Sequence, residues 1–162
     1  MNISKGKFVL LIIMSIIGLS SSLVVLYEYD IFHNPPPFCI QNTAIFGAVV
    51  NCEIVLSSRY ATVFNIPLDA LAAIWFIINI ILVICVSFLT LDTARRFLNI
   101  LFFWRFLGLI IVPYLIFLEF FVLHAICIYC TIMHVAIILD FIIVSYFLFY
   151  KENIFKVHGP NG

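Results

Sequence analysis

The chain has 162 residues, of which 65% are hydrophobic and only 10% charged, and its formal net charge is zero. With a mean hydropathy of +1.25 there is too little polar surface to cover a water-soluble globule of this size. The composition therefore indicates an integral membrane protein. It carries no basic run and no glycine-rich phosphate loop, which excludes the usual signatures of nucleic-acid and nucleotide binding.

A helix needs about 20 residues to cross a hydrocarbon core of about 30 Å. Four stretches qualify: Phe8 to Tyr27, Leu68 to Leu91, about Phe97 to Phe121 and about His124 to Tyr150. The expected fold is an all-α integral membrane protein, a four-transmembrane-helix bundle with a long outer loop containing a short amphipathic helix. Nothing remains for a second domain. Lys5 and Lys7 precede the first stretch as in a signal peptide. Its apolar run exceeds the usual h-region of about 7 to 15 residues and no A-x-A-like site follows, so it reads as a retained anchor.

The loop from Glu28 to Pro67 opens with "NPPPF", Asn34 to Phe38. Its three prolines cannot donate backbone hydrogen bonds, so this part is expected to be extended or turning. Farther on, "EIVLSSRY" (Glu53 to Tyr60) sets Ile54, Val55 and Leu56 beside Ser57, Ser58 and Arg59, as in an amphipathic helix lying on the membrane surface. The cations Lys5, Lys7, Arg95, Arg96, Lys151 and Lys156 fall at one set of helix ends. By the positive-inside bias those ends and both termini are cytoplasmic, and the loop lies outside or in an oxidising lumen. A disordered tail is expected from about 153 to 162, and with no retrieval signal of the K-D-E-L type it favours a plasma membrane over the endoplasmic reticulum.

Five cysteines are present. Cys39 and Cys52 lie in the loop, Cys127 and Cys130 near the outer end of the last stretch, and Cys85 deep in the second. On the oxidising side four of them make two candidate disulfides. For Cys39 and Cys52 a structural staple, contributing about 3 kcal/mol, is the plain alternative to a redox role. A bridge between Cys127 and Cys130 closes a ring too small to remove much chain entropy and is easily reduced, as a working disulfide must be. C-x-x-C also occurs in zinc sites, but such a site would lock the loop thiols as well. Cys85 reads as a small buried apolar residue. With no nicotinamide or flavin fingerprint, a quinone in the bilayer is the natural electron acceptor, bound in an apolar pocket with a few polar groups. His134, four residues past Cys130 on the same helical face, is a candidate for one of them; a histidine satisfied by its neighbours is the alternative.

The loop pair Cys39 and Cys52, then "CEIVLSSRY", "NIP" opening the second long helix and "CIYC" on the last together resemble the vitamin K epoxide reductase family. DsbB-type thiol oxidases also have four helices and two cysteine pairs, but their C-x-x-C comes in the first outer loop. The resemblance spans nearly the whole chain and implies a membrane thiol oxidoreductase. Cys39 would meet a thiol of a thioredoxin-fold partner of the DsbA or PDI kind, Cys52 would relay to Cys127, and Cys130 would face the quinone. The acceptor would be menaquinone, ubiquinone or a vitamin K type. Vertebrate members bind quinone through a tyrosine four residues past the last cysteine, where this chain has His134, and through an asparagine at the outer end of the second helix. That asparagine has no match here, and nearby Asp69 is the substitute. Ser58 is a candidate for hydrogen bonding to the loop sulfur or the quinone, or simply a capping serine. Asn65 and Ala72 stand where the family often has glycine. Many bacterial members carry a fused thioredoxin-like domain; its lack here implies a separate partner. Reduction of vitamin K or its epoxide, or a non-enzymatic subunit with structural disulfides, are the alternative functions.

Arg105 and Asp140 fall at similar depths, roughly 12 to 15 Å from the inner face. Such charges are costly unless paired inside the bundle, so an Arg105–Asp140 ion pair is expected, the alternative being an Arg105 that snorkels to the headgroups.

Overall fold

The computed structural model describes the backbone of residues 5–45, 47–88 and 91–157, and the side chains of residues 9–39, 47–85 and 99–146. Four long helices form the body: α1 (Lys5–Val25), α3 (Leu68–Phe88), α4 (Leu91–Phe117) and α5 (Ile128–Val157). Each includes a stretch long and apolar enough to cross a membrane. The chain is thus a multi-pass membrane protein. Isoleucines and phenylalanines such as Ile74, Ile81, Ile110 and Phe103 lie exposed on the outside of the bundle, where lipid tails rather than water surround them.

The helix ends differ from the sequence expectation by several residues. α3 ends by Phe88 and Leu91 already belongs to α4, which starts earlier than expected. α5 begins at Ile128, because residues 125 and 126 form a strand. It continues to Val157, so the first part of the expected tail is helical; residues 158–162 lie outside the described residues. At the other end of the bundle α1 and α4 each finish in a π-turn, Leu26–Ile31 and Leu118–Val122.

Inside the bundle, α1 packs on α3 and α5, and α4 on α3 and α5. Small residues allow close approach. A side chain at Gly18 would collide with the ring of the fully buried Phe76, and one at Gly108 would come within 2.8 Å of Trp75, which stacks on Trp104 at 6.2 Å. In lipid, where apolar burial gives no drive for helix association, such close packing is a main source of cohesion.

The expected ion pair is present: Arg105 and Asp140 approach to 3.8 Å, both fully buried, and Arg105 does not snorkel. It sits in a larger network than the sequence indicated. Asn79 of α3 donates to Asp140 Oδ2 at 2.9 Å and to Ser15 Oγ at 2.7 Å, and Arg105 Nε donates to Asn79 Oδ1 at 3.0 Å. Arg105 Nη1 also reaches the Asp140 carbonyl at 2.9 Å, and the Ser15 hydroxyl lies 3.1 Å from Asp140 Oδ2. One polar residue from each of the four long helices is tied to the others.

At the end of the bundle where the π-turns lie, the loop forms a small sheet that the sequence reading did not foresee. β1 (Ile40–Ile45) pairs antiparallel with β2 (Ala48–Asn51), which pairs parallel with β5 (Ala125–Ile126). The short helix α2 (Cys52–Leu56) follows β2, capped by the Asn51 side chain on Ile54 N–H. It is shorter than expected, ending before Ser57. Cys52 and Leu56 pack into the protein while Glu53 and Ile54 are exposed, the two-faced pattern expected of an amphipathic helix. A hairpin of β3 (Thr62–Val63) and β4 (Ile66–Pro67) then leads into α3. Its two turn residues, Phe64 and Asn65, both have positive φ, 51° and 64°, as a two-residue type I′ turn requires.

Candidate functional site

The sheet registers bring three cysteines together. In the antiparallel pair Ile40 lies opposite Asn51, so the residues just outside, Cys39 and Cys52, face one another. They form a disulfide with Cα atoms 5.3 Å apart. In the parallel pair Val50 lies beside Ile126, so Cys127, next along β5, arrives beside the end of β2 and Cys52. The sulfurs of Cys39, Cys52 and Cys127 all lie within 4.8 Å of one another. These three residues are buried in one cluster with Val25 and Leu56. With Cys39 and Cys52 joined, the trio is a disulfide beside a free thiol, the arrangement for thiol–disulfide exchange, rather than three thiolates for a metal.

Cys127 is also where α5 starts. Its sulfur accepts the N–H of Cys130 at 3.4 Å, and its carbonyl accepts the Thr131 N–H and hydroxyl, each at 2.9 Å. The sulfur therefore caps the positive end of a long helix dipole. Cys130, a free thiol in the first turn, packs against the cluster that holds Cys127 and also lines a cavity. Along α5 the residues Cys130, Met133, His134 and Ile137 line this cavity, the spacing of one helical face. Ser58 and Asp69 line it too. Ser58, Asp69, Cys130 and His134, chosen from sequence, thus share one cavity between α3, α4, α5 and the segment after α2.

The cavity walls are predominantly apolar, and a few polar groups converge on it, as in pockets for small hydrophobic ligands. Ser58 Oγ is buried without a protein partner. An orphaned donor of this kind on an apolar cavity fits a ligand with carbonyl oxygens, such as a quinone. His134 is 6% exposed and Asp69, in the first turn of α3, equally buried. The Asp69 carbonyl accepts the Ser22 hydroxyl from α1.

The sequence reading passed over one residue here. Glu119, in the π-turn Leu118–Val122, lines the cavity and is 4% exposed. Its signal was present: a carboxyl inside an apolar span with no cation at helical spacing. Cys85, expected to be buried, is half-exposed and lies apart from the site.

Access to the loop disulfide is closed in this state. Cys39 is 1% exposed. The prolines before it form an irregular segment held to α5 where the Tyr129 hydroxyl donates to the Pro37 carbonyl at 2.7 Å. Phe38 beside it is left-handed (φ 67°) and 79% exposed. An external thiol can reach Cys39 only when this segment lifts.

The profile of the vitamin K epoxide reductase family matches residues 9–145, a range that includes all four candidate redox cysteines. No individual curated protein matches the chain. The chain belongs to the vitamin K epoxide reductase family, whose members are membrane thiol oxidoreductases that use quinones.

Proposed function

We propose that this protein passes electron pairs from a thioredoxin-fold partner through Cys39–Cys52 and Cys127/Cys130 to a quinone in the bilayer, supporting disulfide formation in other proteins. The observation that carries this reading is the approach of the Cys39, Cys52 and Cys127 sulfurs to within 4.8 Å of one another, with Cys130 lining the apolar cavity beyond. Residues 1–162 act as one membrane domain. The positive-inside bias supports cytoplasmic termini and cysteines on the outer side of a plasma membrane.

In this reading a partner thiolate attacks Cys39, forming a mixed disulfide and releasing Cys52 as thiolate. Cys52 attacks Cys127 of the oxidised Cys127–Cys130 pair, releasing Cys130. The partner's second thiol frees Cys39, which restores Cys39–Cys52 and releases Cys127. The dithiol then gives up two electrons as it closes to a disulfide. A quinone supplies the acceptor for two electrons and two protons. Cys130 is the thiol beside it, and His134, Ser58 and Asp69 orient it by hydrogen bonds. The state with Cys39–Cys52 joined and Cys127 and Cys130 free corresponds to the last stage of this cycle.

The test is detergent-purified protein mixed with a reduced thioredoxin-fold protein, following quinone absorbance as thiols are consumed, with vitamin K epoxide as a parallel acceptor. Cys130→Ala is expected to abolish quinone reduction and leave exchange at Cys39–Cys52 intact. Quinone reduction that survives Cys130→Ala, or failure to trap a Cys52–Cys127 linkage in a Cys130→Ala protein, would refute the reading.

A further inference from the structure

The cavity holds two carboxyl groups, Asp69 and Glu119, both within electrostatic reach of Cys130. Glu119 is the more buried of the two, at 4% exposure, and sits in the π-turn Leu118–Val122, a few residues before the thiol pair. It lines the same cavity wall as Cys130. Its helix turn is unusual: the Leu123 N–H reaches back to the Leu118 carbonyl at 2.8 Å, across one residue more than in an α-helix, and such π-turns recur where a side chain must be re-aimed at a functional site.

A structural role does not account for Glu119. Asp140, another buried acid, is held by an arginine and three helices. Among the described residues, no lysine or arginine lines the cavity around Glu119. Retaining a carboxyl at 4% exposure without a cation is costly in lipid and marks a residue kept for use.

The chemistry supplies that use. Reduction of a quinone takes two protons as well as two electrons, and a cavity walled by leucine, methionine and isoleucine offers few proton carriers. We propose that Glu119 is the proton carrier of this cavity, taking the thiol proton from Cys130 and delivering it to a quinone oxygen as the electrons leave the sulfur. The balance closes within the site. Glu119 carboxylate accepts the Cys130 proton, leaving a Cys130 thiolate, and gives that proton to the first oxygen. Cys127 sulfur bonds to Cys130 sulfur, its own proton going to the second oxygen. Two thiol S–H bonds break, one S–S bond forms, two electrons and two protons reach the quinone, and Glu119 returns to its starting form. Glu119 can hold this role toward the quinone only if Cys130 is the reducing thiol, as proposed above.

The test uses the full-length protein in detergent, carrying Cys85→Ala, with Cys39–Cys52 oxidised and Cys127/Cys130 reduced. Two readouts are taken: quinone reduction, and, without quinone, the rate of iodoacetamide alkylation at Cys130 mapped by mass, across pH. Glu119→Gln keeps the size and an acceptor oxygen but cannot carry the proton. It is expected to slow quinone reduction by about 10²-fold and to slow Cys130 alkylation near neutral pH, changing its pH profile. Wild-type rates and profiles in Glu119→Gln, alongside an inactive Cys130→Ala, overturn the proposal and leave the thiol-to-quinone reading standing. If Cys130→Ala still reduces quinone, that reading falls, and the alkylation rates alone decide whether Glu119 serves Cys130 as a base. Should Glu119→Gln lose exchange at Cys39–Cys52, a sign of misfolding, Glu119→Asp decides. A lowered rate with a shifted pH profile supports the proposal, and an unchanged rate and profile overturns it.

Discussion

Two polar clusters interrupt the same apolar bundle, and they are built on opposite plans. In one, Ser15, Asn79, Arg105 and Asp140, one from each long helix, bond to each other with no exposure at all. In the other, Ser58, Asp69, Glu119, Cys130 and His134 face a cavity rather than one another. The two lie about 15 Å apart along α5, from Cys130 to Asp140 at 1.5 Å per residue. Polar groups in lipid carry the same desolvation cost in both places. Where that cost is met by partners across helices, the cluster ties the bundle together. Where the groups are left turned toward a cavity, they are available to a ligand. The difference gives a way to tell structural from functional polar residues in a membrane protein without knowing its substrate.

Removing one member of the first cluster tests the comparison most severely. Asp140→Ala leaves the Arg105 guanidinium buried without its counter-ion, and a broken buried pair costs about 3 to 5 kcal/mol. The expected result is a large fall in thermal midpoint in detergent, or loss of folded protein altogether. Replacing both charges, Arg105→Met with Asp140→Leu, is expected to recover most of that loss, because no charge is then stranded. Quinone reduction by the double variant should remain close to that of the parent. If the double variant folds well and yet loses quinone reduction, the first cluster serves the chemistry after all and the division into two plans is wrong.

The second cluster should respond in the opposite way. His134→Leu removes a polar side chain that is 6% exposed on an apolar wall, so the thermal midpoint is expected to hold or rise slightly. A hydrogen bond to a quinone oxygen is lost, contributing about 1 to 1.5 kcal/mol, which corresponds to roughly a tenfold higher KM for quinone. Midpoint and KM are measured on the same preparation. A lowered midpoint with an unchanged KM would mean that His134 belongs with the structural cluster.

The four spans, the Cys39–Cys52 disulfide and the Arg105–Asp140 contact were legible in the sequence because each rests on a local pattern: length of an apolar run, spacing of thiols, or a charge at a known depth. The sheet was not. β2 and β5 are separated by two spans, and β5 has only two residues, Ala125 and Ile126, too few for any alternation to register. Yet its parallel pairing is what carries Cys127 to Cys52. The role of Asn79 was hidden for a similar reason, since a lone asparagine in an apolar helix has no visible partner until the helices are assembled. Glu119 was missed because a regular helix was expected through Phe121, whereas residues 118–122 form a π-turn from which the carboxyl lines the cavity.

The smallest expected effect concerns the edge between the cavity and the outside. Tyr129 lies between Cys127 and Cys130 in sequence, and its hydroxyl holds the Pro37 carbonyl at 2.7 Å, so the residue between the helix thiols also fastens the segment that covers Cys39. Tyr129→Phe keeps the ring and removes that one hydrogen bond, which contributes about 1 kcal/mol. The segment should then open about fivefold more often, since 1.4 kcal/mol is a factor of about ten, and dithiothreitol should reduce Cys39–Cys52 faster by the same factor. Reduction is followed by mass shift after alkylation, with quinone absent so that the cavity plays no part. Because the bond is anchored on the turn that begins α5, the gain should shrink when Cys127 and Cys130 are oxidised to a disulfide if that turn moves, and stay fivefold if it does not. An unchanged rate in both redox states would mean that Pro37 is held by the shape of the proline segment itself, and that opening toward a partner is independent of the thiols beneath it.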